Sequence, residues 1–323
     1  MYLLVLLFRY KHMSISLAIV SFFVSITLVI IIQKIFLHYK FKDQINNRSS
    51  HSVVATRSGG LAVFLVLFII SLICYVSENT IFDYSIIIPL SLLVLVGMYD
   101  DIYNVDFKLK FIFQIIAAKI ILDNGFIIEN LHGFLGIFEL NRLIAQLFTI
   151  FIIVSIINAI NFIDGVDGLA ISILLFFIIS FEFFANRPTP FINLSTIITT
   201  SILPLYYFNF KEKNKVFLGD SGSLFLGALA STYIIYILTN DYIIKPVYDV
   251  HKIFFVLSIF FYPILDLIRV VFIRVLMGNS PFKADKRHIH HIILRLTNSH
   301  ITTTLIIILM CLFVCILIQM IKV

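Results

Sequence analysis

Charge is what this sequence has least of. Asp, Glu, Lys and Arg make up 13% of its 323 residues, while 60% are hydrophobic and the mean hydropathy is +1.05; a soluble domain is roughly 25% charged. That balance excludes a soluble protein and implies an integral membrane one. Segments of ~10 residues alternating in polarity are missing too, which argues against an outer-membrane barrel. Cysteine is scarce: Cys74, Cys311 and Cys315 all fall inside apolar runs without metal-type spacing, so they read as small packing residues and carry no redox information. No Gly/Ser/Pro-rich linker, low-complexity block or internal repeat divides the chain, which leaves one helical domain over residues 1–323 and no support for an inverted-repeat transporter. The opening stretch, MYLLVLLFRYKHMS, lacks a small-residue cleavage site and carries its charges after the apolar run, unlike a secretory signal; Met13 is an alternative start.

What is there is oil in blocks. The windows 13–38, 60–76, 84–99, 108–122, 143–158, 168–185, 191–208, 221–238, 251–273 and 301–321 each approach or reach the ~20 residues of a spanning helix, so the expected fold is all-α and polytopic, with about ten transmembrane helices. A net charge of +6 suggests nucleic acid in a soluble chain; here it orients the helices, and no nucleic-acid partner is expected. With segment 39–59 in the cytoplasm, that side collects Lys34, Lys40, Lys42, Arg48, Arg57, Lys108, Lys110, Lys211, Lys213, Lys215, Arg274, Lys283, Lys286, Arg287 and Arg295. The other side keeps Arg9, Lys11, Arg142, Arg187, Lys245, Lys252 and Lys322, and both termini then lie outside the cytoplasm. On that outer side, segment 126–140 alternates around a glycine turn and reads as a short surface hairpin or an irregular loop.

The same orientation brings four polar patches to one face: GMYDDIYNVD, NAINFIDGVDGLA, VFLGDSGSLFLG and PFKADKRHIHHIILRL. Asp100, Asp101, Asp164, Asp167 and Asp220 lie at the mouths of spans, where an unpartnered charge is expensive. A lone aspartate there is most simply a helix cap. Five together call for a hard divalent cation such as Mg²⁺, which takes one or two carboxylates and leaves positions for phosphate oxygens. DGVDGL places two acids three apart, on one face if that segment is helical. GDSGS puts an acid just before an apolar helix, whose free N–H groups favour an anion such as phosphate.

The last patch is basic, and its three histidines, His288, His290 and His291, admit zinc among their readings. Two of them are adjacent and the neighbours are cations, so phosphate recognition by Arg forks and His⁺ donors fits better. Lys211, Lys213 and Lys215 read as ordinary orienting charges, and Asp266 with Arg269 as an internal ion pair. Acids for a metal and bases for phosphates at a membrane surface point to phosphoryl transfer involving a lipid.

At this point the chain resembles the polyprenyl-phosphate N-acetylhexosamine-1-phosphate transferases over essentially its whole length. Four motifs occur in order: RSSHSVVATRSGGLAV, GMYDD, NAINFIDGVDGLA with FLGDSGSLFLG, and PFKADKRHIHHIILR. The resemblance implies transfer of a sugar-1-phosphate from a UDP-N-acetylhexosamine to undecaprenyl phosphate, giving a sugar-diphospho-lipid and UMP, with Mg²⁺ (Mn²⁺ as a substitute). It implies a multi-pass protein of the bacterial cytoplasmic membrane with its active site facing the cytoplasm and, by analogy alone, a homodimer. Asp167 and Asp220 match metal-coordinating positions, and Asp100 and Asp101 the acidic pair that activates or positions the lipid phosphate. Asn158, Asn161 and Asp164 match the motif around the nucleotide. Arg287, His288, His290 and His291 match the basic loop holding the donor diphosphate, and Arg57 and Lys108 are taken as further substrate-binding residues.

The chain departs from the family at Val54–Ser58, where relatives commonly show Pro-Thr-Pro-Arg-Gly, and at Ile102, where a polar residue is usual. The RSSHS start is similar to enzymes that begin O-antigen or other surface polysaccharides. The sugar expected is N-acetylglucosamine or a 6-deoxy relative such as N-acetylfucosamine or N-acetylquinovosamine. The peptidoglycan branch, which uses UDP-N-acetylmuramoyl-pentapeptide, stays an alternative, as do an anion transporter with acids and histidines lining a path and a degenerate relative.

Overall fold

The computed structural model describes residues 15–41, 54–240, 242, 251–280 and 286–321. The N-terminal leader reading with Met13, the RSSHS start of the first motif, the PFKAD start of the last and the charges Arg9, Lys11, Lys42, Arg48, Lys245, Lys283 and Lys322 lie outside the described residues.

Every apolar window folds as helix. In chain order these are α1 (Ile15–His38), α2 (Gly59–Val76), α3 (Ile87–Tyr103), α4 (Phe107–Asp123), α5 (Arg142–Ile163), α6 (Leu169–Phe184), α7 (Ile192–Phe210), α8 (Gly219–Thr239), α9 (Lys252–Ile259), α10 (Phe261–Leu276), α11 (Ile289–Thr297) and α12 (His300–Met320). The all-α class therefore holds. Among the described residues the count of ten spans is not reached on length and composition: six helices qualify (α1, α2, α3 with its leading turn from Tyr84, α5, α8 and α12), or seven if α9 and α10 form one. Helix α4 is diluted by Lys108, Lys110, Lys119 and Asp123. The 16 residues of α6 extend only about 24 Å at 1.5 Å each, short of the ~30 Å hydrocarbon layer.

The window 251–273 breaks at Phe260, where α9 and α10 meet at 80°. Pro263, in the first turn of α10, explains the break, because it has no N–H and its ring collides with the carbonyl four residues back.

Helix α8 is the axis of the bundle, with 83% of its most apolar window buried against 22% for α1 and 28% for α12. It packs on α2, α3, α5 and α6. Small residues make that approach possible. A Cβ on Gly227 would stand 2.7 Å from Ile157 Cα, and one on Gly60 would stand 2.1 Å from Gly222 Cα. Where α8 begins, the chain pairs with the entry to α2: β1 (Ala55–Thr56) runs parallel to β2 (Lys215–Val216). The ladder continues as Gly59 N and Gly60 N donate to the carbonyls of Phe217 (2.9 Å) and Leu218 (2.8 Å).

On the opposite end of the bundle, Leu131 N donates to Phe138 O and Leu140 N to Glu129 O, both at 2.8 Å, around a turn at Phe134–Gly136. This is the surface hairpin expected from the alternation. All three cysteines are free, Cys311 and Cys315 buried.

Candidate active site

Helices α3, α5, α7 and α10 end, and α2, α4, α6, α8 and α12 begin, at one end of the bundle, so residues far apart in sequence converge there. The centre is the start of α8. Gly219 adopts φ +73°, a conformation that suits glycine, and turns the chain so that Asp220 enters the first helical turn. The N–H groups of Asp220 and Ser221 each donate over 2.9 Å to one oxygen of Asp101 at the end of α3. A carboxylate from one helix thus caps another, satisfying two of the free amides at a helix start and meeting its positive dipole end. The expectation that this helix start binds phosphate is corrected accordingly, since Asp101 already holds those amides.

Asp100, one residue earlier, faces another way. One oxygen accepts Val105 N (2.7 Å), and the other accepts Lys110 Nζ (3.0 Å), which also donates to Asp220 (2.8 Å). Lys110 thus bridges two carboxylates, and its own side chain is 16% exposed. Lys108 does not join them. It is exposed, and two residues along a helix rotate it about 200° from Lys110. Arg57 stands on the other flank: a Cβ on Gly219 would lie 2.9 Å from Arg57 Cβ and 2.7 Å from Asp101 Oδ2.

The DGVDG segment is a turn between α5 and α6, so Asp164 and Asp167 do not share a helical face. Gly168, at φ +75°, sets the break before α6. Asp164 caps α5; burial, followed by the charges of Asp220 and Asp101, holds its carboxyl well above the usual range, with Arg57 partly offsetting them. Asp167 is buried and ion-paired to Lys215. Its N–H donates to His300 Nδ1 (3.0 Å), and its carbonyl accepts Thr304 Oγ1 (3.1 Å).

Lys215 is thus a site residue that the orienting-charge reading missed. Replacing it with Met leaves a carboxylate that is only 5% exposed without its cation and should lower stability by about 3–5 kcal/mol. Thermal unfolding checks this, and adding Asp167→Asn should recover most of the loss.

Asn158 and Asn161 serve packing. Asn158 Nδ2 donates to Gln114 Oε1 (2.7 Å) and Val154 O (2.8 Å), joining α5 to α4, while Asn161 Nδ2 donates to Ser223 Oγ (2.8 Å), joining α5 to α8.

The histidine patch folds as the start of α11. His288 Nδ1 and the Ile289 N–H bond the two oxygens of Asp266 at 2.6 and 2.8 Å, and His288 Nε2 meets Arg274 Nη2 at 3.3 Å. The Asp266–Arg269 pair is present at 3.8 Å, but His288 is the closer partner. Arg287 lies at the rim, its carbonyl accepting Arg269 Nη1 at 2.8 Å. The reading as cationic donors is corrected for His290 and His291. Burial, then His288 and Lys286, push His291 down to about 4, and burial drives His290 well below the ordinary histidine value.

Asp266, His288 and His290 bring possible metal-ligand atoms within 4.8 Å of one another. His288 Nδ1 is engaged by Asp266 and His290 Nδ1 by the Tyr262 hydroxyl. The Arg274 guanidinium also takes the position a cation would need on His288.

The fold is that of a multi-pass membrane protein whose carboxylates, lysines and histidines gather at one end of the bundle. Glycosyl transferase family 4 matches residues 84–238. The probable undecaprenyl-phosphate N-acetylglucosaminyl 1-phosphate transferase of Bacillus subtilis is 32% identical, over 90% of this chain and 80% of its own. The decaprenyl-phosphate N-acetylglucosaminephosphotransferase of Mycobacterium tuberculosis is 30% identical over 80% and 70%. The undecaprenyl-phosphate alpha-N-acetylglucosaminyl 1-phosphate transferase of Haemophilus influenzae is 31% identical over 78% and 71%. The chain belongs to the polyprenyl-phosphate N-acetylhexosamine-1-phosphate transferases of glycosyl transferase family 4.

Proposed function

We propose that the protein transfers N-acetylglucosamine-1-phosphate from UDP-N-acetylglucosamine to undecaprenyl phosphate, releasing UMP, at the cytoplasmic face of the bacterial inner membrane. This is the first membrane step of O-antigen or a related surface polysaccharide. The observation that carries the reading is Asp220 at the start of the central helix, with Asp100 and Asp101 around it and Lys110 between Asp100 and Asp220. The names of the relatives supply the sugar and the class of lipid. The clustering of Lys and Arg at this end supports the orientation.

The residues fit Mg²⁺ as cofactor. The donor set is all oxygen, and the Ser221 hydroxyl beside Asp220 is buried without a partner. Asp220 would hold the ion, joined by Asp167 once Lys215 is displaced from it. A bound Mg²⁺ acts as Lewis acid on the diphosphate and as a template.

The chain's own part is positional. Asp101 fixes the start of α8, Lys110 balances the acids, and Arg57 lies where an incoming phosphate would meet it. An oxygen of the lipid phosphate bonds to the donor's β-phosphorus as the bond from that phosphorus to the bridging oxygen breaks, and UMP leaves with that oxygen. Such a displacement depends on in-line placement.

The test is purified protein with undecaprenyl phosphate, Mg²⁺ and, separately, UDP-N-acetylglucosamine and UDP-N-acetylfucosamine, following UMP and the mass of the lipid. The expected result is UMP with an N-acetylglucosaminyl-diphospho-lipid, abolished by EDTA and restored by added Mg²⁺. Turnover that is indifferent to EDTA overturns the metal; turnover with the other donor alone overturns the sugar.

A further inference from the structure

We propose that Tyr262 is a positioning residue that fixes His290 in the neutral Nε2–H tautomer, so that His290 offers one uncharged hydrogen-bond donor to an oxygen of the nucleotide sugar. This rests on the transferase reading for the ligand but not for the tautomer.

A count of hydrogens decides the tautomer. His290 is fully buried and Tyr262 equally so. The Tyr262 hydroxyl lies 2.8 Å from His290 Nδ1 and also accepts the His290 backbone N–H at 3.2 Å. A phenol carries a single hydrogen. If that hydrogen goes to Nδ1, the backbone N–H, the hydroxyl and Nδ1 are all satisfied, and the ring proton sits on Nε2. If instead Nδ1 carried the proton and donated to the hydroxyl, the Tyr262 hydrogen would have no acceptor among its neighbours, and Nε2 would be bare as well. The second arrangement strands two buried polar groups where the first strands one, and buried polar groups are rarely left unpaired.

The group left over is informative. Nε2 of His290 is buried with no partner among the described residues, and it lies against Gly165 in the turn between α5 and α6, where a Cβ would stand 3.1 Å from it and equally close to the His291 ring. The missing side chain is what lets the imidazole pack against the turn that also carries Asp164 and Asp167. Burial keeps the imidazole neutral, so the donor adds no positive charge. Opposite ends of one ring thus divide the work, Nδ1 held by α10 and Nε2 facing the turn that carries Asp164 and Asp167.

The test uses the full chain in nanodiscs with ¹⁵N-labelled histidine. Ring-nitrogen resonances at pH 8 report which nitrogen is protonated, with His290 assigned by its loss in His290→Gln. The expected result is a protonated Nε2 and a bare Nδ1 in the wild type, becoming a tautomer mixture in Tyr262→Phe. A protonated Nδ1 in the wild type overturns the proposal, as does a tautomer unchanged in Tyr262→Phe.

Activity with UDP-N-acetylglucosamine and undecaprenyl phosphate is the second arm. A glutamine places its N–H donor near Nε2, whereas an asparagine places its amide near Nδ1. His290→Gln should therefore keep kcat/KM for the nucleotide sugar within about tenfold, with His290→Asn and Tyr262→Phe lower and the KM for the lipid unmoved. His290→Asn as active as His290→Gln overturns the role of Nε2 as donor while leaving the tautomer to the resonance data. A wild type inactive with these substrates overturns the transferase reading, and the resonances still decide the tautomer.

Discussion

Asp220→Asn abolishes transfer, lowering kcat by a factor of about 10³ or more, while leaving the fold in place. A loss of that size corresponds to about 4 kcal/mol of transition-state stabilisation, the scale on which a metal or a preorganised charge acts. The fold should survive because asparagine has the same shape and because the tie between α3 and α8 runs through the main-chain N–H groups of residues 220 and 221 to Asp101. Lys110 keeps its bond to Asp100 at 3.0 Å. UMP release measures the rate and thermal unfolding checks the fold. Activity within tenfold of the wild type, in folded protein, would remove Asp220 from the centre of the site.

Gly97→Ala should be nearly as damaging by a different route. A Cβ at this position would lie 2.5 Å from the carbonyl carbon and oxygen of Asp220 and from Ser221 Cα. All three are backbone atoms and cannot rotate away, so α3 and α8 must separate. Overpacking of this kind costs about 1–3 kcal/mol, and moving the start of α8 by an ångström should cost about 10² in rate. The expected outcome is a lower melting temperature together with that loss of activity. Leu95→Ala, on the same helix but 59% exposed, is the control and should change neither by much. A Gly97→Ala protein with wild-type turnover would show that the two helices have slack between them.

The helices were legible because apolar composition in long runs has few other solutions. Every expected window is helical, and four sequence motifs do converge on one end. The span count was less legible, because length alone does not separate a helix that crosses from one that packs beside it, as α4 and α6 illustrate. Pro263 was present in the sequence, but a proline near the middle of an apolar run does not announce an 80° turn.

Within the site, residue type was readable and partnership was not. Lys108 and Lys110 differ only by phase on a helix whose start could not be placed to the residue. Lys215 looked like its neighbours Lys211 and Lys213 until Asp167 was seen beside it. Asn158 and Asn161 were placed near the nucleotide by resemblance alone; their partners in the fold, Gln114 and Ser223, lie 44 and 62 residues away in sequence. His300 and Tyr262 belong to no motif, and only the fold brings them to the turn and to the imidazole.

The main chain of Asp167 is held by His300 and Thr304, at the start of α12. During synthesis, this helix is the last of the described ones to leave the ribosome. Until it inserts, the turn carrying Asp164 and Asp167 lacks its clamp even though α8 and its acids are already in the membrane. The turn bearing these two acids is therefore fully held only once α12 is in place, so its geometry depends on a helix made well after the acids themselves.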